Sequence, residues 1–317
     1  MVGITIGDPT GIGPEVIIKS LSKLSKEQLR RVVLIGSIEV FKLWSEKYGI
    51  DIKFCVYPCG STDSIPVVDI GIKVSTLDIS EELASRISLY SIDKSIELLK
   101  ENRIDSIVNA PISKERVAKV LPGFRGHTKY YAEAFGIENY NMAFYSRDLR
   151  VVLLTEHIPL KDVPNSISKE KIKSTLINSY NWVKMLEGKE EVRIGICGLN
   201  PHAGEKGEIG DEEKTIIKAM EELDLEVYGP LPPDTAFLEY RKKSLDCLVA
   251  LYHDQGLIGF KLLHFDDGIN TTIGLPFVRS SPDHGTAFDI AGRGIANPES
   301  MLQAIIYCLH VESKVKI

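Results

Sequence analysis

LYHDQGLIGFKLLHFDDGINTTIGLPFVRSSPDHGTAFDIAGRGIANP, Leu251 to Pro298, concentrates more unusual chemistry than any other part of this 317-residue chain. It holds three of the seven histidines, the cations Lys261 and Arg279 on either side of the strand-like INTTIG, and a Gly-rich loop. The loop leads into a closing helix expected from near Pro298 and Glu299 to about His310. Glycine costs chain order, and clustered His and Asp side chains add little to a core. The segment therefore reads as a site rather than as packed interior. Just upstream, DCLVALY is an apolar run that puts His253 past the carboxyl end of a strand.

The same strand-then-loop pattern recurs towards the N-terminus. Strands are predicted at Val2–Ile6, Arg31–Gly36, Asp105–Asn109, Val192–Cys197 and Asp246–Tyr252. Helices fall at Glu15–Leu24, Ile38–Tyr48, Lys169–Glu187 and Asp211–Leu223, with a further helix starting at Ser80, Glu81 and Glu82 and keeping Leu89, Ile92, Ile96 and Leu99 on one face. Alternation of this kind predicts an α/β protein with a largely parallel sheet flanked by helices. NMAFYS and LRVVLLT, separated only by Arg147 and Asp148, read as an antiparallel hairpin, a place for a second domain or a subunit contact. The segments at 57–66 and 229–235 read as loops. At this length two domains are expected rather than one.

Composition narrows the function. Hydrophobic residues make up 44% and charged ones 26%, with no apolar run near the roughly 20 residues of a membrane helix. Met1 is followed by VGITIGD with no basic leader, so a cytoplasmic protein is expected. The net charge of −6 is spread along the chain without a basic stripe, which argues against nucleic acid. Five cysteines, at 55, 59, 197, 247 and 308, are an odd number in a long chain; buried or semi-exposed thiols are expected.

Three histidines follow three predicted strands: His157 after LRVVLLT, His202 after RIGIC and a GLNP turn, and His253 after DCLVALY. Ligands in α/β sheets bind at the carboxyl edge, and three imidazoles with an open fourth position describe a catalytic divalent-metal site. Glu156, Asn200 and Asp254 stand beside them as possible supporting partners, whereas His264 and His310 read as structural. Lys261, Asn270 and Arg279 recur at intervals of nine. Arg can grip a carboxylate or phosphate with two parallel bonds, and Lys supplies a point charge or a proton-transfer group. GHT at 126–128 opens a helix whose amides, with the Thr128 hydroxyl, can hold a phosphate.

DHGTAFDIAGRGIANP at 283–298 resembles the adenosine-binding loop of the isocitrate and isopropylmalate dehydrogenase superfamily, and GDPTGIGPEV at the start resembles that superfamily's GDGIGPEV turn. Within it, GDPTGIGPE, VNAPISK, GHT, TEHIPL, GLNPHAGE, GPLPPDTAF, YHDQG and GLPFVRSSPDHGTA look like the motifs of the 4-hydroxythreonine-4-phosphate dehydrogenase family, in order and over almost the whole length. Departures are Thr10, where the family usually has Ala, and LLHFDD at 262–267.

The resemblance implies a two-domain fold of mixed, largely parallel sheets with the active site in the interdomain cleft. The cofactor-side domain would comprise residues 1–110 and 268–317, and 111–267 would form the substrate, metal and dimerisation domain. His157, His202 and His253 would bind one divalent cation, zinc, magnesium or cobalt. His127, Thr128, Lys261, Asn270 and Arg279 would bind a small phosphorylated substrate. His284, Gly285, Thr286, Asp289 and Asn297 would hold NAD or NADP, the carboxylate of Asp289 favouring NAD. Lys261 and Asp234 would be catalytic. The family is homodimeric with its active site at the subunit interface, which leaves open which of the two chains supplies each metal ligand. The implied activity is oxidation of 4-phosphooxy-L-threonine followed by decarboxylation, in pyridoxal 5′-phosphate biosynthesis. The alternatives are a D-threonate or D-erythronate 4-phosphate dehydrogenase and, more distantly, a phosphotransacetylase-like acyltransferase.

Overall fold

A computed structural model describes residues 1–315, with side chains to Val311; residues 316 and 317 of the expected cofactor-side range lie outside the described residues. The chain divides into two compact units, one of residues 1–137 with 276–317 and one of residues 138–275. Residues 111–137, expected with the central domain, pack in the first unit, through contacts of their helices Lys114–Val120 and His127–Phe135 with the helix Glu81–Lys100. Residues 268–275, expected on the cofactor side, belong to the second unit because their strand Ile269–Ile273 pairs with Asn141–Tyr145.

The first unit contains β1 (Val2–Thr5), α1 (Gly13–Leu21), the short α2 (Lys26–Leu29), β2 (Val32–Gly36), α3 (Ile38–Tyr48), β3 (Phe54–Val56), β4 (Ile65–Asp69), α4 (Glu81–Lys100), β5 (Ser106–Asn109), α5 (Lys114–Val120) and α6 (His127–Phe135). Its strands run in the order β3-β4-β2-β1-β5, and a late strand, Val278–Pro282, adds to β5; every pairing is parallel. β1, β2 and β5 are buried at every position, which explains their continuous rather than alternating apolar runs. Ser80 caps α4 by accepting from the Leu83 amide, as its position before two glutamates predicts.

The second unit contains β6 (Asn141–Tyr145), β7 (Arg150–Leu153), α7 (Lys169–Glu187), β8 (Arg193–Cys197), α8 (Glu213–Glu221), β9 (Glu226–Leu231), α9 (Ala236–Lys242), β10 (Cys247–Ala250), α10 (His253–His264) and β11 (Ile269–Ile273). Its strand order is β11-β6-β7-β10-β8-β9. β6 and β7 form the expected antiparallel hairpin, β11 is antiparallel to β6, and β7, β10, β8 and β9 are mutually parallel. The core between this sheet and its helices includes Phe144, Val151, Leu153, Leu248, Leu257 and Phe260. The late strand of the first unit is β12 (Val278–Pro282), and α11 (Glu299–Val315) closes the chain.

Both segments read as loops contribute strand residues: β4 begins inside 57–66, and β9, at the edge of the sheet, includes Gly229 and Pro230. Their Gly and Pro content masks the strand signal, because both residues read as turns; in β9 they are tolerated at the sheet edge. α10 also departs from expectation, since YHDQG enters a helix at His253 itself. The thiol expectation holds for Cys197, Cys247 and Cys308, which are buried and free. It fails for Cys55 and Cys59, which form a disulfide. The turn after β3 brings their Cα atoms to 6.1 Å, within bridging range, and an odd total does not prevent one local pair. Among the described residues no helix is long and apolar enough to cross a membrane.

Candidate functional site

In the second unit β7, β10 and β8 are parallel neighbours, so the segments bearing His157, His253 and His202 leave the same edge of the sheet. The rings of His157 and His253 lie 5.4 Å apart. Nδ1 of His253 is 2.7 Å from Oδ1 of Asp254, which leaves Nε2 as the outward nitrogen, the arrangement that carboxylate-supported metal histidines adopt. Two imidazoles, one with a carboxylate behind it, fit part of a three-nitrogen set for a divalent cation. The third does not join them within one chain: among the described residues no three His, Cys, Asp or Glu side chains are grouped to hold a metal.

His202 stands instead on a strained turn. His202, Ala203, Gly204, Glu205 and Lys206 all have positive φ, between 42° and 76°, making a left-handed helical turn. Only Gly adopts that conformation freely; each of the four residues carrying a Cβ costs about 1–2 kcal/mol there. Glu213, buried in the first turn of α8, holds the entry to this turn: Oε1 accepts from the amides of Leu199 at 2.9 Å and Asn200 at 2.8 Å, and Oε2 from Asn200 Nδ2 at 3.0 Å. Gln255 ties the same loop to β10, accepting from the Leu251 amide and donating to the Gly198 carbonyl at 2.8 Å. Neither Glu213 nor Gln255 stands out in the sequence, because each acts through partners brought close only by folding.

The remaining second-unit candidates are placed by their elements. Lys261 lies two turns along α10 from His253, Asn270 lies in β11 opposite Phe144, and Asp234 is exposed in the turn before α9. Of the expected supporting partners Asp254 reaches a histidine, His253; Glu156 accepts from the Met142 amide and Asn200 donates to Glu212 and Glu213. His264 bridges Asp148 and Asp267 and tilts against Phe260, as a structural residue does.

In the first unit β5, β12 and α6 assemble a second group. Arg279 is buried at 4% exposure, donating from Nε to Asn109 Oδ1 at 3.0 Å and from Nη1 to Thr128 Oγ1 at 3.4 Å. Asn109 is held in turn through its amide, which donates to Thr5 and Tyr131. His127 opens α6, and its buried Nε2 has no hydrogen-bond partner among the described residues. Burial, reinforced by the nearby positive charges of Arg279 and Lys114, pushes its pKa well below the usual histidine range. A neutral imidazole with an open nitrogen, a fixed guanidinium, a hydroxyl and a helix N-terminus together make a receptor for a phosphate or carboxylate. Asn109 and Lys114, from VNAPISK, belong to this receptor, although no charge or spacing signal singles them out.

The loop 283–298 is fastened to the opening turn of the chain. The Ile12 amide donates to the Thr286 carbonyl at 2.9 Å, and a Cβ on Gly11 would lie 2.8 Å from that oxygen, so a larger residue would push the two segments apart. Glu15, fully buried on α1, accepts from the Ala296 amide and from Tyr48, and pairs with Lys19 at 2.7 Å. Lys19 in turn donates to the carbonyls of Gly294 and Ala296. Arg116 stacks over Phe288 at 3.9 Å. Burial lowers the pKa of His284, against the opposing effects of the Gly285 carbonyl and Asp283, and its Nε2 is buried without a partner among the described residues. Gly285, Asp289 and Asn297 are exposed and Thr286 half-buried, so polar groups line a framed loop open to a ligand.

The family model described as pyridoxal phosphate biosynthetic protein PdxA matches residues 17–308. The chain is 40% identical over 315 residues to the 4-hydroxythreonine-4-phosphate dehydrogenase of a Sulfurihydrogenibium species, with 96% of each chain covered. It is 37% identical over 317 residues to the D-threonate 4-phosphate dehydrogenase of Cupriavidus necator, covering 96% of this chain and 95% of that one. The crystal structure of a 4-hydroxythreonine-4-phosphate dehydrogenase from Burkholderia phymatum superposes with a TM-score of 0.84 at 34% identity, covering 98% of this chain and 97% of the other.

Proposed function

The chain belongs to the pyridoxal phosphate biosynthetic protein PdxA family, and from that premise we propose that it oxidises the C3 hydroxyl of 4-phosphooxy-L-threonine with NAD or NADP. The product is a 3-keto acid, which loses carbon dioxide to give 3-amino-2-oxopropyl phosphate. The observation that carries this reading is the buried Arg279, pinned by Asn109 and Thr128 beside the open nitrogen of His127. It is a preorganised receptor for the phosphate of a small substrate.

When bound, the nicotinamide takes up the two electrons and the divalent cation acts as a Lewis acid towards substrate oxygens. His157 and His253 hold that cation, with His202 completing the set. Arg279 and Thr128 bind the phosphate, and the neutral His127 adds a hydrogen bond without adding charge. Lys261 and Asn270 contact the substrate, and Lys261 relays the hydroxyl proton with Asp234 in support. His284, Gly285, Thr286, Asp289 and Asn297 hold the dinucleotide.

The assembly we infer is a homodimer. Ile258, Leu262 and Phe265 follow one another at helical spacing along α10 and its end, at 72%, 84% and 74% exposure, an apolar stripe that a second copy would cover. A dimer also gives His202 a route to a metal pair that its own chain leaves incomplete.

The 37% identity to a D-threonate 4-phosphate dehydrogenase favours one rival substrate. Reduction of NAD and NADP should be followed with phosphooxythreonine, D-threonate 4-phosphate and D-erythronate 4-phosphate in parallel. Fastest turnover of phosphooxythreonine is expected. Turnover of only a sugar-acid phosphate would replace the proposed substrate, and activity that survives chelation and needs no nicotinamide would replace the reaction class.

A further inference from the structure

We propose that Glu213 is the positioning residue for His202, an inference that rests on reading His202 as a metal ligand. Three observations meet at this carboxylate. It is buried at 5% exposure in the first turn of α8, where the helix dipole favours an anion. It accepts from two consecutive backbone amides, those of Leu199 and Asn200, and from the Asn200 side chain. Its second oxygen also lies against the left-handed turn itself, since a Cβ on Gly204 would come within 2.6 Å of Oε2.

The geometry has a direction. The turn from His202 to Lys206 is intrinsically unfavourable for every residue in it except Gly204, so it persists only if its ends are fixed. At the C-terminal end Ile209 donates to the Gly204 carbonyl, closing the turn on itself. At the N-terminal end the fixing group is Glu213, two residues upstream of His202 through the Asn200 amide. Asn200 is gripped twice more, by Glu212 and Glu213 through Nδ2, and its carbonyl accepts from Ala203 on the far side of His202. The backbone on both sides of His202 is thus referred to one carboxylate, which sets where the imidazole projects. Gln255, on the helix that begins with His253, holds the Gly198 carbonyl at the start of the same loop and links the two histidine segments.

The test is zinc binding by the full-length protein, stripped of metal and titrated with Zn²⁺ alone by calorimetry, for wild type, His202→Ala, Glu213→Gln and Glu213→Asp. Gln keeps the shape but loses the charge and turns a donor towards Asn200; Asp keeps the charge but withdraws it. Expected is zinc affinity weakened roughly 10- to 100-fold by either Glu213 variant. NAD binding, followed by fluorescence, should stay at the wild-type level, which a general loss of structure would not allow. Should both variants fail to fold, Asn200→Ala removes one tie and leaves the buried carboxylate in place, with a smaller weakening expected. Wild-type zinc affinity in folded Glu213 variants, alongside weakened binding in His202→Ala, would overturn the positioning role alone. Unchanged affinity in His202→Ala would overturn the metal assignment together with the proposal built on it.

Discussion

Arg279 illustrates how the fold changes what one residue type can do. In the sequence it is one cation among 38, marked out by its interval of nine from Asn270; in β12 it is buried and donates to Asn109, 170 residues away. Arg279→Met should raise KM for the phosphorylated substrate by about two orders of magnitude, the scale for removing a buried charge from an ionic contact. Arg279→Lys should recover little of it, because a single ammonium cannot reach both Asn109 and Thr128 with fixed geometry; steady-state kinetics would check both. His127 makes a separate prediction. Burial and the charges of Arg279 and Lys114 hold it neutral when folded, while the unfolded residue titrates near 6.5. Below about that pH the unfolded state takes up a proton that the native state refuses, so stability falls as pH drops. Denaturant titrations between pH 7 and 5 should show a shallower loss for His127→Gln than for wild type, and parallel slopes would refute the assignment.

At the scale of elements, the two Gly-rich motifs at opposite ends of the chain become one structure. α1 carries Glu15 and Lys19, which grip the loop at Gly294 and Ala296. Lys19→Met should raise KM for the dinucleotide about tenfold while leaving kcat and the KM for the phosphorylated substrate near wild type. An unchanged dinucleotide KM would show that the loop keeps its form without the clamp. The regular elements were legible where an apolar period was uninterrupted, as in β1, β2 and α4. β9, β12 and α10 were not. Pro230 and Pro282 break the strand pattern, and Gly256 and Gly259 lower the helical signal of α10 because close side-chain neighbours, Val151, Ala250 and Leu153 at the first and the Phe237 ring at the second, select them rather than propensity.

At the scale of the molecule, the exposed stripe of α10 predicts an assembly. Leu262→Glu with Phe265→Glu should shift sedimentation from dimer to monomer and weaken zinc binding together; a dimer that survives both changes would place the interface elsewhere. The unfamiliar LLHFDD segment contributes Leu262 and Phe265 to that stripe and the paired His264, so its divergence is one of surface and helix end. The sequence by itself determined the α/β class, the family and the strand-end placement of His157, His202 and His253, because apolar periodicity and contiguous motifs are local properties. Only the tertiary structure decided that β7, β10 and β8 are neighbours, that two histidines approach while the third rides a left-handed turn, and that Glu213, Gln255 and Asn109 tie together segments bearing the candidate residues. Those facts rest on pairings between residues far apart in the chain, and a pairing has no local signature: a buried carboxylate and a solvated one are the same letter.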